Sequence, residues 1–227
     1  MRGRGGTPVC FPQFGMLGPL PTQHGFARNR GFSLEHKTDS SCTMSLTYDG
    51  QGAAGSFPHP FTLHVTTSVE GATITQELKV SNTGSNPLPF TAALHTYYRV
   101  ADISQARVEG LKGVSYRDNL QQLKEEHEQQ DTIRVEGEVD RIYVNAPSSI
   151  KLVDEAGKRQ LSIEKNGFPD AVLWNPWIAK AKGMADFGDE EYKEMVCIEP
   201  AMAISGPVNL DPGATWVAKQ STTASQL

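Results

Sequence analysis

The sequence predicts an all-β fold, and three observations carry that expectation. Stretches such as Phe61–Thr66 alternate apolar and polar residues with the two-residue period of a half-buried strand. Turn-forming residues are frequent, 21 Gly and 14 Pro in 227 residues, and many fall between those stretches. Ala, Leu and Lys build no long run of helical period, so nothing argues for a bundle.

Taken in order, Phe61, Leu63 and Val65 alternate with Thr62, His64 and Thr66, and Ile74, Leu78 and Val80 continue the pattern over 73–81. Asn82-Thr-Gly-Ser-Asn-Pro87 then reads as a turn. Phe90–Val100 is mostly apolar and β-favouring, which predicts a central strand. Further strands are predicted at Arg141–Val144, Ile150–Val153, Gln160–Glu164, Val196–Ile204 and Thr215–Lys219. The polar stretch Asn119–Asp131 reads as an exposed loop or short surface helix, and Gly188–Glu194 as a helical turn or two. Ser221–Leu227 reads as a frayed tail. No repeat or linker interrupts the pattern, so residues 1–227 are read as one domain with a core of real size, a sandwich or a barrel.

Composition removes several function classes. A net charge of −5 argues against nucleic acid, which needs clustered cations, but leaves room for a small anion held by two or three. Cys10, Cys42 and Cys197 show neither paired nor metal-site spacing and are expected as reduced thiols. No apolar segment follows Met1–Arg4 and none reaches the length of a membrane span, so a soluble, cytoplasmic protein is expected.

The functional signal opens near the N-terminus. Arg4–Gly15 and Gln23–Asn29 set arginines, a glutamine and His24 on a backbone shaped by Gly and Pro, too polar for a core strand and too broken for a helix. His95 falls among Ala92, Ala93, Leu94, Tyr97 and Tyr98, where a buried imidazole needs a partner; it is either a satisfied core histidine or a working one. Glu199 lies in the apolar run Met195–Met202, where burial raises a carboxyl pKa toward that of a base that also acts as an acid. The alternative is a strand-end glutamate turning outward before Pro200. Asp140 opens a strand and reads as a turn aspartate on local grounds, and Trp174-Asn-Pro-Trp177 as an aromatic corner that packs a loop or, as the alternative, stacks on the apolar face of a sugar. There is no zinc spacing, phosphate-binding glycine loop or nucleophile elbow.

Six co-linear blocks from Arg4 to Trp216 resemble one family. They are Arg4-Gly-Gly-Thr-Pro-Val-Cys-Phe-Pro-Gln-Phe-Gly, Gln23-His-Gly-Phe-Ala-Arg-Asn, Ala93-Leu-His-Thr-Tyr-Tyr-Arg-Val, Glu138-Val-Asp-Arg-Ile-Tyr, Phe168-Pro-Asp-Ala-Val-Leu-Trp-Asn-Pro-Trp and Met195-Val-Cys-Ile-Glu-Pro. The chain is similar to the hexose-6-phosphate mutarotases, or glucose-6-phosphate 1-epimerases, of the aldose 1-epimerase superfamily. The resemblance implies a galactose-mutarotase-like β-sandwich (a supersandwich) that interconverts the anomers of a hexose 6-phosphate. It implies catalytic places for His95 and Glu199, ligand-binding ones for Arg4, Gln23, Arg28 and Asp140, and a second active-site histidine at His24. Neither metal nor organic cofactor is implied, the partner is the small sugar phosphate, and a monomer is expected.

One departure carries its own expectation: family members have several strands before the Arg-Gly-Gly block, so the chain reads as N-terminally shortened. That would uncover an edge and apolar surface and favour Arg28 over Arg4 as the better embedded cation. Two rivals stay open at this point, a non-catalytic sugar-phosphate-binding sandwich and a glycoside hydrolase using Asp140 and Glu199. The latter needs two carboxyls about 5–9.5 Å apart across one bond.

Overall fold

A computed structural model describes residues 4–51 and 57–227. Met1–Gly3, which with Arg4 open the chain, lie outside the described residues. Among those described, two large antiparallel sheets pack face to face, beside a ribbon of Leu88–Phe90 and Val208–Leu210.

The site sheet runs in space as Val9–Cys10, Ala92–Leu94, Met195–Met202, Asp170–Asn175, Val139–Tyr143, Ser115–Asp118 and Lys124–His127; Tyr97–Arg99 also pairs with Met195–Met202. The back sheet runs Thr132–Ile133, Ala106–Glu109, Ser149–Asp154, Arg159–Asn166, Thr215–Gln226, Thr73–Asn82, Phe61–Glu70, Ser41–Tyr48 and Ser33–Lys37.

Strand alternation explains where the core lies. Val196, Ile198, Leu173, Ala171 and Tyr143 point inward from the site sheet and meet Val108, Ile150, Leu152 and Ile163 of the back sheet. Toward the other end, Phe11, Ala92 and Leu94 meet Leu63, Leu78, Val80 and Ala218. The opposite face of the site sheet carries the alternate residues Cys10, Ala93, Ile142, Val172, Trp174, Cys197 and Ala201, which form a third apolar cluster. That outer face is covered not by a sheet but by loops and by the one α-helix among the described residues, Trp177–Lys182. A sheet face roofed by irregular chain is where a ligand finds room.

The predicted hairpin 61–82 is present, and Asn82 locks its exit. The Asn82 amide donates to the carbonyls of Asn86 and Leu210, both at 2.8 Å, and its Oδ1 accepts from Gly84 N at 2.9 Å. Three expectations are corrected. Phe90–Val100 is not one strand: it breaks at His95-Thr96, where His95 N donates to Pro8 O (3.0 Å) and Thr96 N turns back on Leu94 O (2.9 Å). Lys124–His127 pairs with Ser115–Asp118 as an edge strand, its charges facing water, which is why no apolar stripe marks it. Ser221–Gln226 is no frayed tail but the end of Thr215–Gln226, hydrogen-bonded on both sides. Ser33–Lys37 and Ser41–Tyr48 are further strands, which the alternation pattern alone does not mark. Ser33–Lys37 forms the open edge of the back sheet, with Leu34 58% exposed. The bulge between Leu34 and His36 blunts that edge.

Candidate active site

The floor of the site is set by register. Val172 lies opposite Glu199 and Ile142 opposite Val172, while Asp140 lies opposite Trp174 and Trp174 opposite Cys197. These two adjacent rows put the Glu199 and Asp140 side chains on the same outer face, two strands apart. Glu199 is 2% exposed.

The wall is the Gly/Pro-rich run, and its backbone is tied down from within. Gln13, 1% exposed, donates to the carbonyls of Leu20 (3.0 Å) and Thr22 (3.2 Å) and accepts from Leu20 N (2.9 Å). Phe26 N and Ala27 N both donate to Phe11 O, at 3.0 and 3.1 Å. Gly25 sits over that same carbonyl with φ +66°, and a Cβ there would lie 2.3 Å from Phe11 O, so only glycine fits. His24 beside it also has positive φ, +64°, rare for a residue with a Cβ. It is clamped by Gly15: His24 N donates to Gly15 O (2.8 Å), and Nδ1 accepts from Gly15 N (3.1 Å). With Nδ1 an acceptor, the neutral ring carries its proton on Nε2.

His95 stands at the strand break, 7% exposed, stacked on Tyr97 (4.9 Å between centroids, 9° between planes) and edge-on to His24 (5.4 Å) and Trp174 (5.8 Å). Its Nδ1 lies 3.3 Å from Glu199 Oε1. That contact is within ion-pair reach but lacks hydrogen-bond alignment, which leaves His95 Nδ1 buried without a hydrogen-bond partner, and the other carboxylate oxygen, Glu199 Oε2, is also buried without one. Two unsatisfied buried polar atoms side by side are costly unless a ligand uses them.

Burial sets the protonation of the pair. It pushes the Glu199 carboxyl well above the usual carboxylate range, reinforced by Asp140 and opposed by Arg28. It pushes His95 down to about 3, with His24, Arg28 and Arg4 acting the same way, and His24 down to about 4, with Arg28 and Arg4 adding to it. Both rings are therefore neutral near pH 7, and the 3.3 Å contact is not a fixed ion pair. Asp140 is raised by burial, offset by Asn119, whose amide donates to Oδ1 at 2.6 Å, and by Lys180, 4.0 Å from Oδ2.

All seven residues singled out by the sequence line one pocket of about 270 Å³: His95 and Glu199 with Arg4, Gln23, His24, Arg28 and Asp140. Trp174, read as packing, also lines it, as do Asn119 and Lys180, which carry no mark in the sequence. Register alone could have found Trp174, since it shares a face with Asp140. Asn119 and Lys180 arrive from a loop and a helix with no local signal. Arg4 and Arg28 line this pocket and also a wider cleft alongside it, so both guanidinium groups stand at the mouth. Both arginines are exposed residues: Arg4 is held by Asp186 (Nε–Oδ1 2.9 Å), and Arg28 donates to the Gln23 carbonyl at 3.1 Å.

The sequence profile of the aldose 1-epimerase family matches residues 1–223. The chain belongs to the aldose 1-epimerase family. It is 41% identical to a protein of Cenchrus ciliaris named "Putative glucose-6-phosphate 1-epimerase" over 224 residues, 94% of this chain and 68% of that one. It is 34% identical to an Escherichia coli protein of the same name over 205 residues, 88% of this chain and 67% of the other. Among solved structures, the epimerase superposes on a "putative mutarotase (YeaD)" from Salmonella typhimurium with a TM-score of 0.86 and 27% identity, covering all of this chain and 77% of that one. The all-β, galactose-mutarotase-like fold read from the sequence is thus the fold observed, and this epimerase is an isomerase. Among the described residues no helix is long and apolar enough to cross a membrane.

Proposed function

We propose that this epimerase interconverts the α and β anomers of a hexose 6-phosphate, glucose 6-phosphate above others. The observation that carries the reading is the joint presence, in one pocket, of the buried His95–Glu199 pair and two arginines. At about 270 Å³ the pocket is small for a ligand site, of a size for one sugar ring. The cations suit a group carrying about −1.5 to −2 charges at neutral pH, recognised by charge-assisted hydrogen bonds.

Anomerisation removes the proton of the C1 hydroxyl and protonates the ring oxygen, and both oxygens are bonded to C1. Acid and base must therefore stand next to each other, as His95 and Glu199 do. The pair holds one proton: one member gives it to the ring oxygen while the other takes the hydroxyl proton. The ring opens, the C1–C2 bond rotates, and the steps reverse on the other face. The family resemblance implies Glu199 as base and His95 as acid; because burial favours the proton on Glu199 in the free site, that direction requires its prior passage to His95, and the roles exchange on closure. Each such group supplies roughly 10²–10⁴-fold. Asp140, anchored by Asn119, accepts from sugar hydroxyls, Gln23 and His24 Nε2–H bind from the loop side, and Trp174 offers an apolar face.

The test adds purified chain to freshly dissolved α-glucose 6-phosphate and follows the β anomer with a β-specific dehydrogenase. Acceleration over the spontaneous rate, lost in Glu199→Gln and absent with unphosphorylated glucose, is the expected outcome. Equal acceleration of both sugars refutes the phosphate specificity. No acceleration by folded protein refutes the activity.

A further inference from the structure

Next to the acid–base pair lies a group that the proton chemistry does not use. Cys197 is two residues before Glu199 on the same strand, so it shares the site face, and it is fully buried. Its Sγ, a ring nitrogen of His95 and a Glu199 carboxylate oxygen all lie within 4.8 Å of one another. Two of the three residues carry buried atoms with no hydrogen-bond partner, His95 Nδ1 and Glu199 Oε2. Nitrogen, sulfur and oxygen converging from His, Cys and Glu is the donor set of zinc-class ions; magnesium and calcium take oxygen alone.

The geometry is close to what such an ion needs. Tetrahedral bonds of about 2.0–2.3 Å set ligand atoms roughly 3.3–3.8 Å apart. His95 Nδ1 and Glu199 Oε1 already stand at 3.3 Å. The sulfur, no more than 4.8 Å from a His95 nitrogen and a Glu199 oxygen, must close by about 1.3 Å at most, within reach of side-chain adjustment. His95 and Glu199 line the pocket and Cys197 does not, so an ion enters between the first two, and its fourth position faces the pocket.

We propose that His95, Cys197 and Glu199 form an exchangeable site for a thiophilic divalent cation of the zinc class, whose binding inhibits the enzyme by competing with the sugar. Capture replaces the thiol proton of Cys197 and the carboxyl proton of Glu199 by bonds to the ion, with both protons released to solvent and the neutral His95 ring giving its lone pair. No electron changes hands. The bound ion holds the lone pairs that otherwise move protons between the C1 hydroxyl and the ring oxygen. The binding half of the proposal stands on the donor geometry alone, while the inhibitory half rests on the acid–base reading above.

Cobalt(II) is the probe, titrated into the full chain with its thiols kept reduced. The expected result is one equivalent of a near-ultraviolet thiolate-to-cobalt charge-transfer band, displaced by Zn²⁺, retained in Cys42→Ser and lost in Cys197→Ser. Glucose 6-phosphate should raise the apparent cobalt Kd at least tenfold, a readout that does not depend on the Cys197 variant folding. Zn²⁺ should inhibit mutarotation, with an inhibition constant at least tenfold weaker in Cys197→Ser. No band in the wild type, or a band that survives in Cys197→Ser but vanishes in Cys42→Ser, overturns the proposal; cobalt binding indifferent to a sugar phosphate that the protein turns over overturns its inhibitory half. If the chain does not turn over glucose 6-phosphate, the cobalt band still decides the metal site, so the two readings fail separately.

Discussion

At the scale of single residues, the protonation of His95 and His24 departs most from ordinary behaviour. Burial holds them at about 3 and about 4, so neither ring titrates near its usual 6.5. At saturating sugar phosphate, kcat should therefore stay level from pH 6.5 down to 5 and fall on the alkaline side, where the pair loses its single proton. An inflection in kcat near pH 6.5 would show a freely titrating imidazole and contradict the burial argument. The arginines make a second residue-scale prediction. Each charge-assisted hydrogen bond contributes about 1.5–3 kcal/mol, roughly 10–100-fold in affinity. Arg4→Ala and Arg28→Ala should each raise KM for glucose 6-phosphate by that factor with kcat little changed. Because Asp186 already orders Arg4, the two losses should be comparable, as steady-state kinetics on the two variants would show.

At the scale of elements, the Gly/Pro-rich loop is the part that makes a site out of a sheet face. Its glycines are not equivalent. Gly15 has φ +56° and a Cβ added there would meet nothing within 4 Å, so Gly15→Ala should cost only the left-handed backbone term, about 1–2 kcal/mol. Gly25→Ala adds a collision with the Phe11 backbone at 2.3 Å, which cannot yield as a flexible side chain would. Its cost should reach about 2–5 kcal/mol, with loss of activity because His24 and Arg28 ride on the same loop. Urea unfolding of the two variants side by side checks the contrast; equal costs would mean that the loop relaxes freely. The helix Trp177–Lys182 is the second site-building element. Lys180 Nζ meets Glu138 Oε1 at 3.0 Å and so ties the helix to the strand bearing Asp140.

At the scale of the whole molecule, the buried site couples function to acid stability. The unfolded chain protonates its histidines as pH falls below 6.5, while the folded chain keeps His24 and His95 neutral to about 4 and about 3. The unfolded state then binds more protons, so these two rings make stability fall as pH drops through that window. Glu199 works in the opposite sense: its raised folded pKa favours the fold at low pH and loses that contribution as pH rises. His24→Asn removes one histidine without touching Glu199, and asparagine tolerates the positive φ. Its melting temperature should therefore gain on the wild type as pH falls from 6.5 to 4, by the equivalent of a few kcal/mol. Parallel curves for the two proteins would remove the stability role assigned to His24.

The all-β class, the 61–82 hairpin and the candidates His95 and Glu199 were legible from local signals, namely period-two alternation, turn chemistry and polar residues in apolar strands. The places of Arg4, Gln23, His24, Arg28 and Asp140 came from the family resemblance of their blocks. Edge strands were not: Lys124–His127 and Ser33–Lys37 have no buried face to mark them, and only their partners' hydrogen bonds make them strands. The break at His95 was hidden for a similar reason, since it is made by Pro8, eighty-seven residues away. Nor could composition place Asn119 and Lys180 in the pocket. By itself the sequence determined the fold class, the family and the chemical cast of the site. The tertiary structure alone decided the 3.3 Å approach of His95 to Glu199, their opposed pKa shifts and the cysteine beside them. Distances and dielectric depend on which strands become neighbours, and that is a property of the packed sheets, not of any segment.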